Sequence, residues 1–354
     1  MAQLFEKENN LNMVYSFKND YSEGAHPNIL EALKNLNLVQ QEGYGVDDYS
    51  KEAVDILRSK ISNSNADIHF VSGGTQANLI VISSILKPYE SVISATTGHI
   101  NTHETGAIEA TGHKVNGVDT KDGKLTPNDV KSVLEYHVDE HMVKPKLVYI
   151  SNTTELGTIY KKNELEELSS FCKDNQLLLF LDGARLGSAL TSQDNDLSLD
   201  ELSRLVDAFY IGGTKNGALL GEAIVINKEE LKTNFRYNLK QKGALLSKGR
   251  VLGVQFLELF KDDLFFDLAK HANIMATKLS TGIEGLGYSL LTKSVSNQIF
   301  PILPDTIIDK LSKKYLFYVW CKSGNAMSII RLVTSWATKE EAIESFINDL
   351  EALK

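Results

Sequence analysis

The chain has 354 residues, 42% of them hydrophobic and 23% charged, the ordinary make-up of a globular protein with room for about two domains. Its formal net charge is −9, and no lysine–arginine stripe offsets it, which argues against nucleic acid as a partner because phosphate neutralisation needs such a stripe. The two cysteines, Cys172 and Cys321, have neither disulfide-scaffold nor zinc-knuckle spacing. No apolar run approaches membrane-span length, and the polar start has no signal-peptide pattern, so a cytoplasmic protein without a membrane segment is expected.

In chain order, short apolar runs predict strands at 68–71, 92–95, 114–118, 146–151, 177–182, 208–211 and 222–227. Helical patterns lie between them, at 126–140, opened by Thr126-Pro127, and at 163–174. This alternation predicts an α/β domain with a mostly parallel seven-stranded sheet. Past residue 245 the character changes. Long helical periodicities at 246–260 and 264–281 lead to strand-like runs at 316–320 and 329–334 and a last helix at 338–353. The expected organisation is a large domain over 42–243 and a smaller α+β domain from 1–41 plus 244–354.

Three constellations carry candidate chemistry. Directly after the first strand, Ser72-Gly73-Gly74-Thr75-Gln76 opens a helix, and glycines with helix-terminal amides and hydroxyls make a phosphate cradle. It is neither a P-loop nor a dinucleotide fingerprint. Next comes His99-Ile-Asn-Thr-His103-Glu104. His99 and His103 share a helical face, but the order is not His-Glu-x-x-His, and no metal site is expected. A flat imidazole stacked on a flat cofactor ring, moving protons above it, suits His99 better, with His103 structural. Arginines form the third set. Arg185 follows Asp182 by three residues, Arg250 sits in Ser-Lys-Gly-Arg250-Val, and Arg331 lies in the apolar run Ile-Ile-Arg331-Leu-Val-Thr334. Arg331 reads either as alternation on a half-buried strand or as a fork for a substrate carboxylate.

The pair that ties these together is Asp182, closing one apolar run, and Lys215, in Gly-Gly-Thr-Lys215-Asn-Gly just past the next. Pyridoxal 5′-phosphate chemistry needs both. The lysine amine forms the Schiff base, and the carboxylate keeps the pyridine nitrogen protonated so that the ring accepts electrons.

With these residues together, nearly the whole chain resembles the L-threonine aldolase and β-eliminating lyase group of fold-type I pyridoxal-phosphate enzymes, which share the aspartate aminotransferase-like fold. The resemblance implies that Gly74, Thr75 and Gln76 hold the phosphate. His99 would stack on the ring, with Glu104 matching a nearby family glutamate. Asp182 would partner the ring nitrogen and Lys215 bear the cofactor. Arg185 and Arg331 would bind the substrate carboxylate, and Arg250 would reach the phosphate of a neighbouring subunit. The chain departs from the family at Asn19-Asp20, where Ser-Asp is common, so Asn19 stands in for a carboxylate-binding serine. It departs again at Thr214-Lys215-Asn216, where Ser-Lys-Gly is usual. The implied activity is cleavage of a β-hydroxy-α-amino acid, of the L-threonine or L-allo-threonine type, to glycine and an aldehyde. The alternatives are a β-eliminating lyase or aminotransferase on another amino acid, and a non-catalytic binding protein of the same fold. The loop Gly43-Tyr44-Gly45 also looks like a segment presented to a neighbour, and if it and Arg250 both cross over, a homodimer or homotetramer with shared sites is expected.

Overall fold

Seven runs rich in β-branched and aliphatic residues pair into one sheet. They are β1 (Asp67–Val71), β2 (Glu90–Ala95), β3 (Val115–Val118), β4 (Lys144–Ser151), β5 (Leu178–Asp182), β6 (Ala208–Gly212) and β7 (Glu222–Ile226). The order across the sheet is β1-β7-β6-β5-β4-β2-β3. Every pairing is parallel except the two made by β7, which runs against both β6 and β1. β2, β5, β6 and β7 are buried along their whole length, as expected of a sheet covered on both faces. The structure, a computed structural model, describes residues 14–354.

One of the covering helices carries its cap plainly in the sequence. Thr126 accepts from the Asp129 amide while Asp129 accepts from the Thr126 amide, a capping box that starts the helix Pro127–Tyr136. The helix Lys162–Asp174 follows β4, and Gly74–Ile85 follows β1. Val71, Ile80, Tyr149, Phe180, Tyr210 and Ile224 belong to the core between sheet and helices.

Two compact units result, Gly24–Lys270 and residues 14–23 with His271–Lys354. The segments 24–41 and 244–270, expected in the small domain, therefore belong to the large one. Helices Pro27–Asn35 and Asp48–Lys60 pack against Arg250–Lys261, and Gly253 permits the approach, since a Cβ there would lie 2.2 Å from Ser50 Oγ. The switch from short runs to long helices marks a change of layer, not a domain edge.

The smaller unit is α+β. Met327–Val333 pairs antiparallel with Ile302–Pro304, Tyr318–Lys322 and Gln298–Ile299, and Tyr15–Ser16 pairs in parallel with Tyr315–Leu316. Phe17, Leu279, Ile299, Ile330, Leu332 and Phe346 form its core. The polar start, 1–13, lies outside the described residues. Among the described residues no helix is long and apolar enough to cross a membrane.

Candidate active site

All parallel strands of the sheet end at one edge, where ligands of open α/β sheets bind. The end of β1 leads into Ser72-Gly73-Gly74-Thr75, the end of β2 into His99, β5 ends in Asp182, and β6 leads into Lys215. Because β7 is reversed, its first residue, Glu222, faces Gly212 in register and reaches the same edge.

Asp182 is the hub. Tyr149 on β4 and Tyr210 on β6 flank it, and each donates its hydroxyl, to Oδ2 and Oδ1 respectively, at 2.5 Å. The Asn78 amide adds a bond to Oδ2 at 3.1 Å and the Ala184 N–H one to Oδ1 at 3.0 Å. Burial pushes the carboxyl up, but the His99 charge and the bonds from Tyr149, Tyr210 and Ala184 more than offset it, leaving Asp182 below the usual range. Burial together with the Asp182 charge drives both phenols well above their ordinary value, so they stay protonated and donate.

Backbone contact fixes the neighbouring turns. A Cβ on Gly183 would lie 1.9 Å from the Tyr210 carbonyl oxygen, and one on Gly212 would lie 2.4 Å from that of Ala184. Glycine at both positions lets Gly212 N–H donate to the Gly183 carbonyl at 2.9 Å. Half-buried Lys215 follows. The residues that replace the family's usual neighbours both have local work. Thr214 Oγ1 accepts the Gly221 N–H at 2.9 Å, and the Asn216 amide donates to the Phe265 carbonyl at 2.7 Å.

At the cradle, the helix Gly74–Ile85 begins without a side-chain cap, and a Cβ on Gly73 would meet nothing within 4 Å. Thr75 is exposed there. Gln76 is otherwise engaged: its Oε1 accepts from the Ser72 amide at 3.0 Å and the Ser72 hydroxyl at 2.9 Å, and its Nε2 donates to the Lys242 carbonyl at 3.3 Å. It braces the turn. An uncapped helix start, an ionised buried carboxylate and a lysine along one sheet edge match the phosphate, pyridine nitrogen and aldehyde of pyridoxal phosphate, so the residues fit that group.

His99 is held at both ends. Glu155 Oε1 accepts its backbone N–H at 2.9 Å, and its Nδ1 lies 2.8 Å from Glu104 Oε1. Glu155, buried and bonded to the Ser151 hydroxyl at 2.8 Å, is pushed upward by burial and by the Asp182 charge. His103 ends the short helix, with its ring centroid 5.6 Å from that of His99.

The arginines separate. Arg185 stands at the start of the short helix Leu186–Leu190, half-buried in the Asp182 turn. Arg250 donates to the carbonyls of Val39 and, at 3.3 Å, Asn37. Its neighbour Gly249 packs on the loop Gly43-Tyr44-Gly45, a Cβ there falling 2.4 Å from the Gly45 nitrogen. In the smaller unit, the Arg331 guanidinium lies 5.1 Å from the Tyr318 ring centroid and 5.4 Å from that of Trp320, and its Nη2 donates to the Lys18 carbonyl at 3.5 Å. Asn19 Oδ1 closes a turn, accepting from the Tyr21 amide at 3.0 Å and the Ser22 hydroxyl at 2.9 Å.

Sequence reasoning missed Tyr149, Tyr210, Asn78, Glu155 and Glu222. One signal was present: Tyr149 and Tyr210 each sit two residues before a strand end, on the same alternation as Asp182.

This fold and this sheet edge are those of the fold-type I pyridoxal-phosphate enzymes. A Thermus thermophilus aspartate aminotransferase, 16% identical, shares the fold with a TM-score of 0.72 over 100% of this chain and 95% of its own. The chain belongs to the β-eliminating lyase family, whose model matches residues 22–305. It is 32% identical to the low specificity L-threonine aldolase of Pseudomonas sp. (strain NCIMB 10558) over 95% of this chain and 97% of that one. A solved structure of Leishmania major threonine aldolase is 51% identical, with a TM-score of 0.95 over 96% of this chain and 99% of that one.

Proposed function

We propose that the protein is a pyridoxal-phosphate-dependent aldolase that cleaves a β-hydroxy-α-amino acid, of the L-threonine or L-allo-threonine type, to glycine and an aldehyde. The observation that carries the reading is Asp182, held ionised by four donors at the sheet edge that also presents Lys215, in a member of the β-eliminating lyase family similar to threonine aldolases.

When bound, pyridoxal phosphate supplies an electron sink for the pair released as a bond to the substrate's α-carbon breaks. Lys215 holds it covalently, and the amides of Gly74 and Thr75, with the Thr75 hydroxyl, hold its phosphate. Asp182 keeps a proton on the ring nitrogen; its donors are neutral, so none competes for negative charge. His99, anchored through Nδ1, stacks on the ring and takes the β-hydroxyl proton at Nε2, directly or through water. Arg185 and Arg331, with Asn19, would grip the substrate carboxylate and so fix how the substrate's α-carbon is oriented. The rings of Tyr318 and Trp320, beside the guanidinium, would support the Arg331 fork in that task.

The enzyme acts in the cytoplasm as a homodimer or homotetramer, with Arg250 and the Gly43-Tyr44-Gly45 loop serving a neighbour's site. That these two segments pack together supports a joint role.

The deciding experiment is incubation with L-threonine, L-allo-threonine and L-serine. Glycine plus an aldehyde is expected; a 2-oxo acid plus ammonia would replace this reading with β-elimination.

A further inference from the structure

Glu222 has no part in the chemistry above, yet it is only 4% exposed at the functional edge of the sheet. It opens β7 in register with Gly212 of β6 and Val71 of β1. Its Oε2 accepts the Gly213 N–H at 3.0 Å, and the Thr214 side chain also bonds to it. Capping Gly213 does not require a charge, since a glutamine would accept the same N–H. A buried carboxyl is a costly choice unless its proton or its charge is used.

The titratable groups that act on Glu222 are Lys215, Asp182 and Tyr210. Burial pushes its carboxyl up, the Lys215 charge and the bonds from Thr214 and Gly213 draw it partly back, and Asp182 raises it again, leaving it at about 8. Its cationic neighbour is therefore the one amine whose charge changes as that amine is bound and released. While Lys215 is covalently engaged, its ammonium is not there to favour ionised Glu222, and burial favours the acid. Once Lys215 is released as a neutral amine, an ammonium–carboxylate pair becomes available.

We propose that Glu222 holds the proton that Lys215 takes up on release, and so silences Lys215 as a base toward the substrate's α-hydrogen. The transfer balances. The Glu222 O–H bond breaks and an N–H bond forms on the neutral Lys215 amine, giving carboxylate and ammonium. The same proton returns to Glu222 before Lys215 is re-engaged. Nothing is oxidised or reduced. β-Elimination and transamination need a free amine to remove the α-hydrogen, whereas cleavage to glycine and aldehyde needs a base only at the β-hydroxyl. Glu222 thus selects the bond that breaks by acting through Lys215, without touching the substrate. The inference rests on Lys215 carrying the cofactor.

Three measurements test it on the cofactor-loaded enzyme. In infrared difference spectra, adding glycine, which displaces Lys215, should remove a protonated-carboxyl C=O band. That band should shift when the protein is made with ¹³C-labelled glutamate, and be missing from Glu222→Gln. With L-serine, Glu222→Gln should raise the ratio of pyruvate to glycine on the order of 10-fold or more, one pKa unit of lysine basicity being a tenfold change in free amine. Glu222→Asp, which keeps an ionisable group, should fall between variant and native. Borohydride reduction and peptide mapping locate the cofactor. An adduct on Lys215 with no glutamate band, or with an unchanged product ratio in Glu222→Gln, overturns the role of Glu222 alone. An adduct on another lysine overturns the site itself, and this inference with it. Should Glu222→Gln fail to fold, the labelled native enzyme and Glu222→Asp decide between the two outcomes.

Discussion

His99 and Glu104 form a tethered pair, Nδ1 to Oε1 at 2.8 Å, with the glutamate side chain fully buried and the imidazole about one-third exposed. The same Oε1 accepts the Asn78 amide at 2.8 Å, and Asn78 also bonds to Asp182. A chain of hydrogen bonds therefore runs from the imidazole proposed to lie over the cofactor ring to the carboxylate proposed to meet its nitrogen. Rotation of His99 is restrained by a residue only five positions on.

Glu104→Gln should keep the cofactor but lower kcat by on the order of 10-fold, since a neutral amide can contact Nδ1 without balancing charge on the ring. His99→Ala should cost more, toward the 10²–10⁴-fold attributed to positioned acid–base groups. Steady-state rates with bound cofactor quantified by absorbance decide this. Full activity in both variants would remove His99 from the chemistry.

Asp182→Asn should still bind pyridoxal phosphate and lose about 10²-fold or more in turnover, because an amide cannot hold the ring nitrogen protonated. Tyr210→Phe, which leaves three of the four donors, should lose less. Near-native turnover in Asp182→Asn would reduce this residue to a strand-end cap.

For Arg331→Ala the expectation is a raised KM, about 10- to 10²-fold, matching the loss of a charged hydrogen bond, with cofactor content and circular dichroism retained. Failure of the variant to fold would instead favour a purely structural arginine between Tyr318 and Trp320.

Subunit exchange tests the shared site. A Lys215→Ala chain and an Arg250→Ala chain, each inactive alone, should recover part of the activity when mixed, since one site of a mixed dimer has both native residues. No recovery after demonstrated exchange would confine Arg250 to its own chain, where it already donates to Val39 and Asn37.

His69 predicts an acid weakness. Burial, with the nearby charges of Arg236 and Arg58, holds its pKa down at about 4, and its ring stacks on Phe235 with centroids 5.1 Å apart. The folded chain keeps it neutral while the unfolded chain protonates it near 6.5. Stability should therefore fall as pH drops from about 6.5 to about 4, by on the order of 3 kcal/mol from this residue. His69→Phe should shrink the difference in denaturant midpoint between pH 7 and pH 4; an unchanged difference would show that other groups dominate.

The strand positions were legible because each run is short, apolar and bounded by glycine or polar turns. Direction was not. The run 222–226 reads the same whichever way it crosses the sheet, so nothing local revealed that β7 is reversed and that Glu222 arrives at the functional edge. Asp182 and Lys215 stood out as charges at the ends of apolar runs. Tyr149 and Tyr210 did not, because a tyrosine inside a strand is ordinary and only the register across β4, β5 and β6 shows both hydroxyls meeting one carboxylate. The domain boundary moved for a similar reason. Helix Arg250–Lys261 looks like the opening of a tail until its contact with Asp48–Lys60 is seen, and that contact joins residues far apart in the chain.

The main-chain contact between the Gly183 and Gly212 turns has a bearing on how such an enzyme diversifies. With a carbonyl oxygen occupying the place of each missing Cβ, no side chain can be introduced at either position without parting β5 from β6. The spacing from Asp182 to the Lys215 loop is thus set by peptide backbone, and drift in surrounding side chains leaves it alone. Libraries aimed at bulkier aldehydes would do best to leave these two turns untouched.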